Sequence, residues 1–207
     1  MDDLESQRYF NQIAAEWAQR PIEPENDRRL LECLRRMQLD SGQRILDVGC
    51  GTGRLFHLIE SCTNGQSHLL GMDYAFEMTR QASLKSNNSM QIICGDAQWM
   101  PFQEKTFDSI IAFGLFPHIA RKEQALVEFY RILKPGGRLG VFHLKGSKEL
   151  NQLHRNLGGV VHDHRLPAPH QMHQLLKEAG FEIEMGEDQS DRYFFISVKR
   201  ISKDFLH

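Results

Sequence analysis

Residues 44–55, RILDVGCGTGRL, constrain this chain more than any other stretch: a short β-prone run reaches an acid, and glycine then takes every second position at 49, 51 and 53. A strand that ends this way must turn sharply, because glycine reaches positive φ at little steric cost and lets a ligand approach the backbone. From residue 44 onward apolar runs alternate with helical patterns, which is the mark of βαβ units and a mostly parallel sheet. Strands are expected at 44–48, 68–72, 91–94, 107–112 and 138–143, with helices at 53–62, 75–86 and 121–133, the last stopped by KPGG.

Beyond residue 168, PHQMHQLLKEAGF reads as a short helix ended by Gly180, and two strands follow with few residues between them. So short a connection cannot make a parallel crossover, so these strands pair antiparallel. The expected fold class is α/β: a Rossmann-like, doubly wound, seven-stranded, mostly parallel sheet with an antiparallel last strand, in three αβα layers. The 207 residues suit one domain. Residues 1–40 form its N-terminal helical part (helices at 4–20 and 25–38), 41–144 a ligand-binding half, 145–167 an insertion, and 168–207 the terminal helix and strand pair. In open α/β sheets ligands bind beyond the carboxyl ends of the strands, where the glycine loop and the insertion both belong.

A net charge of −2 gives no general attraction to nucleic acid or an anionic membrane, so the expected partner is a small molecule, with the chain a monomer or homodimer. No run of about eighteen apolar residues occurs and the start MDDLESQRYF is unlike a signal peptide, so the expected location is the cytoplasm. Cys33, Cys50, Cys62 and Cys94 are too scattered for a disulfide framework or a zinc knuckle.

The glycine loop departs from two common relatives. A dinucleotide fingerprint needs a small residue where Arg54 stands, and the phosphate loop G-x-x-x-x-G-K-[ST] is absent. What remains, Asp47 followed by Gly49, Gly51 and Gly53, suits an amino acid's carboxylate and ammonium, with the next helix directing its free amides at the anion. Asp73 after the second strand can accept from both hydroxyls of a ribose, and Asp96 with Ala97 after the third can grip an adenine edge. Amino acid, ribose and adenine in that order describe S-adenosylmethionine.

Together, ILDVGCGTG, GMDYAFEM, GDAQWMPFQEKTFDSIIAF and EFYRILKPGGRL resemble the class I S-adenosylmethionine-dependent methyltransferases, most closely the small members grouped with ubiquinone and menaquinone methyltransferases. The matching motifs run from residue 44 to about 143, and RYFNQIAAEWAQ resembles that group's lid helix. The resemblance implies a methyltransferase with S-adenosylmethionine as cofactor. It assigns Gly49, Gly51 and Gly53 to the methionine end, with Asp47 as buried support or ammonium partner, Asp73 to the ribose, and Asp96 and Ala97 to the adenine. Tyr74 or Met78 would pack on base or sugar, and Phe113 belongs with the same cofactor-side residues.

Methyl transfer is an in-line displacement, and a protein base is needed only where the nucleophile holds its proton. The methyl-side segment AFGLFPHIARKEQ lacks the N/D-P-P-Y/F pattern of enzymes that methylate exocyclic amines of bases or glutamine. Its FGLFPHI stretch and the lid aromatics Tyr9, Phe10 and Trp17 favour a small, partly apolar acceptor. His118, His143, His154, His162, His164, His170 and His173 all follow the fourth strand. Among them His118, His143 and His154 are the candidate bases, since imidazole titrates near neutral pH. His143, His154 and the HDH at 162–164 also offer metal-ligand chemistry, but no H-x-x-x-H pair supports it and no metal ligand is assigned. The same residues leave open a non-catalytic protein that binds the cofactor or handles metal through its histidine-rich cap.

Overall fold

The computed structural model describes residues 3–21, 23–86 and 90–201. The chain runs α1 (Asp3–Gln19), α2 (Pro24–Arg36), β1 (Arg44–Val48), α3 (Phe56–Cys62), β2 (His68–Asp73), α4 (Phe76–Ser83) and β3 (Gln91–Cys94). It continues through β4 (Phe107–Phe113), α5 (Lys122–Ile132), β5 (Leu133–His143), α6 (Ser147–Leu157), α7 (Pro169–Glu178), β6 (Phe181–Gln189) and β7 (Arg192–Lys199). The sheet order is β3-β2-β1-β4-β5-β7-β6, parallel from β3 to β5, with β7 antiparallel to both β5 and β6.

Successive strand residues point to opposite faces, and the two faces bury different helices. Ile45, Ile111, Phe142, Phe194 and Ile196 pack with Leu30 and Leu34 of α2 and with Leu58 and Ile59 of α3. Leu46, Ile110, Leu139, Val141 and Phe195 pack with Leu126 and Phe129 of α5 and with Met172 and Leu176 of α7. The chain reverses its direction of winding at β1, which has β2 on one side and β4 on the other. Loops leaving adjacent strands diverge at such a point and open a crevice between them.

The strands lie where the apolar runs place them, and the differences are local. Helix α3 begins at Phe56, not at 53, because residues 51–55 turn on glycines with positive φ. Helix α4 ends at Ser83 and not at 86. KPGG stops α5 as expected, yet it lies inside β5, which starts at Leu133. The register jumps from Phe107↔Leu133 to Ser109↔Arg138 across it, and a Cβ on Gly137 would sit 2.9 Å from the Asp108 carbonyl oxygen. The Lys134 ammonium closes this bulge on both Asp108 carboxylate oxygens, at 2.7 and 2.8 Å.

The insertion is not a plain loop. Leu150, Leu153 and Leu157 recur at helical spacing between Gly146 and Gly158, and residues 147–157 form α6. Asn151 clips this helix to the segment that follows: its amide donates to the Leu166 carbonyl (2.9 Å) and its Oδ1 accepts the Leu166 N–H (2.8 Å). Buried Tyr193 donates to the Pro167 carbonyl at 3.0 Å and anchors the segment to β7. Among the described residues no helix is long and apolar enough to cross a membrane.

Because Asn151 satisfies two backbone groups at once, Asn151→Ala should cost roughly 1–3 kcal/mol in urea unfolding and raise amide exchange across residues 158–166. Unchanged stability and exchange would remove Asn151 as the clip.

Candidate functional site

A cleft opens at the carboxyl ends of β1, β2, β3 and β4. Val48 and Gly49 come from β1 and its loop, Asp73 and Tyr74 from the end of β2, and Asp96, Ala97 and Gln98 from the turn after β3. Leu115, His118 and Ile119 come from the segment after β4. The topology thus gathers Gly49, Asp73, Tyr74, Asp96, Ala97 and His118, all sequence-assigned residues, around one space.

The glycine loop works by leaving room. Gly49 sits at φ 70°, and a Cβ there would come 2.8 Å from the Leu115 side chain. The Gly49 and Cys50 amides donate to the Met72 carbonyl at 2.7 and 3.0 Å, Gly53 donates to Cys50 (2.9 Å), and Gly51 donates to Asp73 Oδ2 (2.9 Å). These four amides therefore have acceptors within the protein. The expectation that a helix N-terminus aims amides at an anion is not met here, since α3 starts later and is only seven residues long.

Asp73 ties the loop to the turn after β2, because its Oδ1 also accepts the Ala75 amide at 2.9 Å. Burial pushes its carboxyl up to about 6 against the lowering effect of these amide bonds. Asp47, at 1% exposure, has its Oδ2 buried without a hydrogen-bond partner. Burial, reinforced by the charge of Asp73, pushes the Asp47 carboxyl well above the usual range. Asp96 makes a turn of its own, its Oδ1 accepting the Gln98 amide at 2.8 Å. Gln98, which the motif reading passed over, carries that turn across to the β4–α5 loop: its Oε1 accepts from the Arg121 amide (3.1 Å) and guanidinium (3.3 Å).

Other assigned residues lie elsewhere. Met78 is buried under α1 with Ala14 and Ala75, Phe113 packs toward the α2 side of the sheet and the His143 ring, and Asp47, Gly51 and Gly53 do not line the cleft. A Cβ on Gly53 would strike the Phe56 ring at 2.7 Å, so that glycine serves the close packing of loop on helix. Arg54, the residue that breaks the dinucleotide fingerprint, pairs with Asp27 of α2.

Helix α1 packs against residues at the edge of the cleft. Its Gln7 amide donates to the Tyr74 carbonyl (2.7 Å), its Asn11 Oδ1 accepts the Glu77 N–H (2.8 Å), and its Phe10 ring meets the His118 ring edge-on at 5.0 Å. At the same mouth the His118 and His164 Nδ1 atoms lie 2.6 Å apart, and His164 Nε2 lies 3.2 Å from Ser6 Oγ of α1. The His154 Nδ1–H donates to the His164 carbonyl at 2.9 Å. His143 joins from the end of β5, its Nε2 buried without a partner. His162 is exposed and turns to Asp163, outside the group, and His170 and His173 are exposed. Among the described residues no three His, Cys, Asp or Glu side chains are arranged to hold a metal ion. His164 was visible in the sequence as part of HDH, but its pairing with His118 was not, since the two rings lie 46 positions apart.

Residues 46–141 match the methyltransferase domain family. The chain has the class I methyltransferase fold. A chain of the Haloferax volcanii complex between the Trm112 methyltransferase activator and a methyltransferase superposes with a TM-score of 0.75 at 17% identity, covering 93% of this chain and 98% of that one. The Haemonchus contortus phosphoethanolamine N-methyltransferase 2, solved with phosphomonomethylethanolamine and S-adenosylhomocysteine, gives 0.72 at 19% identity over 91% of this chain and 57% of that one. The sterol 24-C-methyltransferase of Debaryomyces hansenii is 28% identical over 169 residues, 76% of this chain and 44% of that one. The chain spans less than half the length of the curated relatives it matches.

Burial lowers His143 to about 3 and His164 to about 4, so both rings stay neutral in the fold while an unfolded histidine protonates near 6.5. Acid therefore favours unfolding: their contribution is whole above about pH 6.5 and is lost as pH falls toward 4. Asp73 acts with the opposite sign, since its raised carboxyl binds a proton in the fold below about 6. His164→Gln should reduce proton uptake on unfolding at pH 5 by about one and shrink the drop in melting temperature between pH 7 and pH 5. An unchanged pH slope would contradict the buried neutral ring.

Proposed function

We propose that the chain is an S-adenosylmethionine-dependent methyltransferase that acts on a small molecule, with α1 as the lid over its cleft. The observation that carries this reading is the buried, unpartnered Oδ2 of Asp47 beside Asp73 and behind the glycine loop. A buried carboxylate oxygen without a donor is costly, and an ammonium group brought to it removes that cost.

When bound, the cofactor supplies an electrophilic methyl group on a sulfonium. Asp47 accepts from the ammonium of its amino acid part, and Gly49 leaves the backbone bare where that part lies. Each Asp73 oxygen has given one lone pair to a backbone amide and keeps another for a ribose hydroxyl. Asp96 and Ala97 face the adenine edge, and Leu115 and Ile119 give the cleft its apolar wall. His118 is the base nearest this space, with His143 and His154 behind it. Phe10 of α1, resting on His118 and near Tyr74, keeps water from the reacting atoms.

Calorimetric titration with S-adenosylhomocysteine tests the assignment. Asp47→Asn should weaken binding roughly tenfold to a hundredfold, the loss of one hydrogen bond to a charged group. Affinity of the parent protein should fall as pH drops below about 6, where Asp73 takes a proton, and this fall should be absent in Asp73→Asn. No binding at neutral pH by the parent would refute the cofactor.

A further inference from the structure

Two contacts set three side chains from distant parts of the chain in a line. His118 of the cleft wall meets His164 nitrogen to nitrogen at 2.6 Å, and the far nitrogen of His164 meets Ser6 Oγ of α1 at 3.2 Å. Among the described residues no carboxylate hydrogen-bonds either ring, and Asp163 is taken by the exposed His162. The groups facing His118 are His143, His154, His164 and Lys122, and those facing His164 also include Asp163 and Arg165. The Lys122 ammonium donates to the Ile119 carbonyl at 2.8 Å.

A short contact between two imidazole nitrogens requires one ring to donate and the other to accept. Two proton arrangements satisfy it. In the first, the His118 Nδ1–H donates, the Nε2 of His118 offers a lone pair toward the cleft, and the His164 Nε2–H donates to Ser6 Oγ. In the second, the His164 Nδ1–H donates, His118 carries its proton on Nε2, and the Ser6 hydroxyl donates to His164. Passing from the first to the second takes a proton in at the cleft and puts one out at α1, with both rings neutral at the start and at the end.

We propose that His164 and Ser6 relay outward the proton that a methyl acceptor gives to His118, and that the acceptor is a weakly acidic hydroxyl, phenolic or enolic, on an apolar body. The inference rests on the methyl-transfer reading. The electron pair of the O–H bond stays on oxygen and forms the O–C bond, while the pair of the S–C bond passes to sulfur. The proton goes to His118 Nε2, the Nδ1–H of His118 moves to His164 Nδ1, and the Nε2–H of His164 leaves through Ser6 Oγ to water. Ser6 adjoins the exposed Leu4 and Glu5 at the rim.

Three observations favour this chemistry. Burial and neighbouring imidazoles hold both rings well below the ordinary histidine range, so an imidazolium is not a resting state and its proton must move on. An amine is largely a cation at neutral pH, and another cation beside Lys122 with no hydrogen-bonded carboxylate is disfavoured, whereas a neutral hydroxyl is not. Leu115 and Ile119 of the cleft wall offer an apolar surface beside His118.

Nitrogen-15 NMR of the free 207-residue chain reads the relay without turnover. The His118 and His164 Nδ1 atoms should show one protonated and one lone-pair signal coupled across their hydrogen bond, and Ser6→Ala should shift the tautomer balance. With cofactor, His164→Gln and Ser6→Ala should each reduce transfer to 4-methylphenol roughly tenfold or more beyond any reduction with 4-nitrophenol, which ionises unaided near neutral pH. Equal losses on the two phenols, or uncoupled ring signals, would overturn the relay. Transfer to primary amines and to neither phenol would overturn the acceptor class. Failure to bind S-adenosylhomocysteine would instead overturn methyl transfer itself, leaving the NMR signals to decide the relay.

Discussion

Two oxygens of one buried carboxylate hold the cleft together. Asp73 accepts the Gly51 amide with one and the Ala75 amide with the other, and so joins the loop after β1 to the turn after β2. These elements follow neighbouring parallel strands, and the Gly49 and Cys50 amides add two bonds from the loop to the Met72 carbonyl of β2. Without the tie, the Gly51 and Ala75 amides would each need another acceptor. Burial opposes the ionised form of this carboxylate while the amides favour it. The result is a carboxyl pushed up to about 6.

The same economy recurs around the rim. Asp96 and Gln98 join the β3 turn to the β4–α5 loop through Arg121, and Asn151 joins α6 to the segment ahead of α7. Each link is a polar side chain satisfying backbone groups that no strand or helix can reach. They fix the loops over a sheet whose interior is apolar on both faces, where Ile45 and Leu46 on adjacent positions serve opposite layers. Asp47 and His143 differ from these links, since each keeps a buried polar atom with no hydrogen-bond partner.

Much of the fold was legible in the sequence because parallel strands buried on both faces are continuous apolar runs, as in RILDV and FDSIIAF, and because short connections forbid parallel pairing of the last two strands. The acids at 47, 73 and 96 were legible for a related reason: each lies at or just past the end of a strand, and a parallel sheet sends all such ends to one side. Helix α6 was also written in the leucine spacing of the insertion, although charged and polar residues between the leucines gave it the look of a loop.

By itself, then, the sequence determined the strand order's parallel core, the direction in which the acids and His118 face, and the failure of the dinucleotide pattern at Arg54. Only the tertiary structure decided that the Gly49, Cys50, Gly51 and Gly53 amides are already bonded within the protein, that Met78 packs with Ala14 of α1, and that Phe113 packs toward the α2 side of the sheet. It likewise decided that Ser6, His118 and His164 form one line. Periodicity and motif spacing report which end of a strand a residue occupies. Contacts between residues 158 positions apart depend on how α1 and the insertion pack over the finished sheet, and no local pattern encodes that.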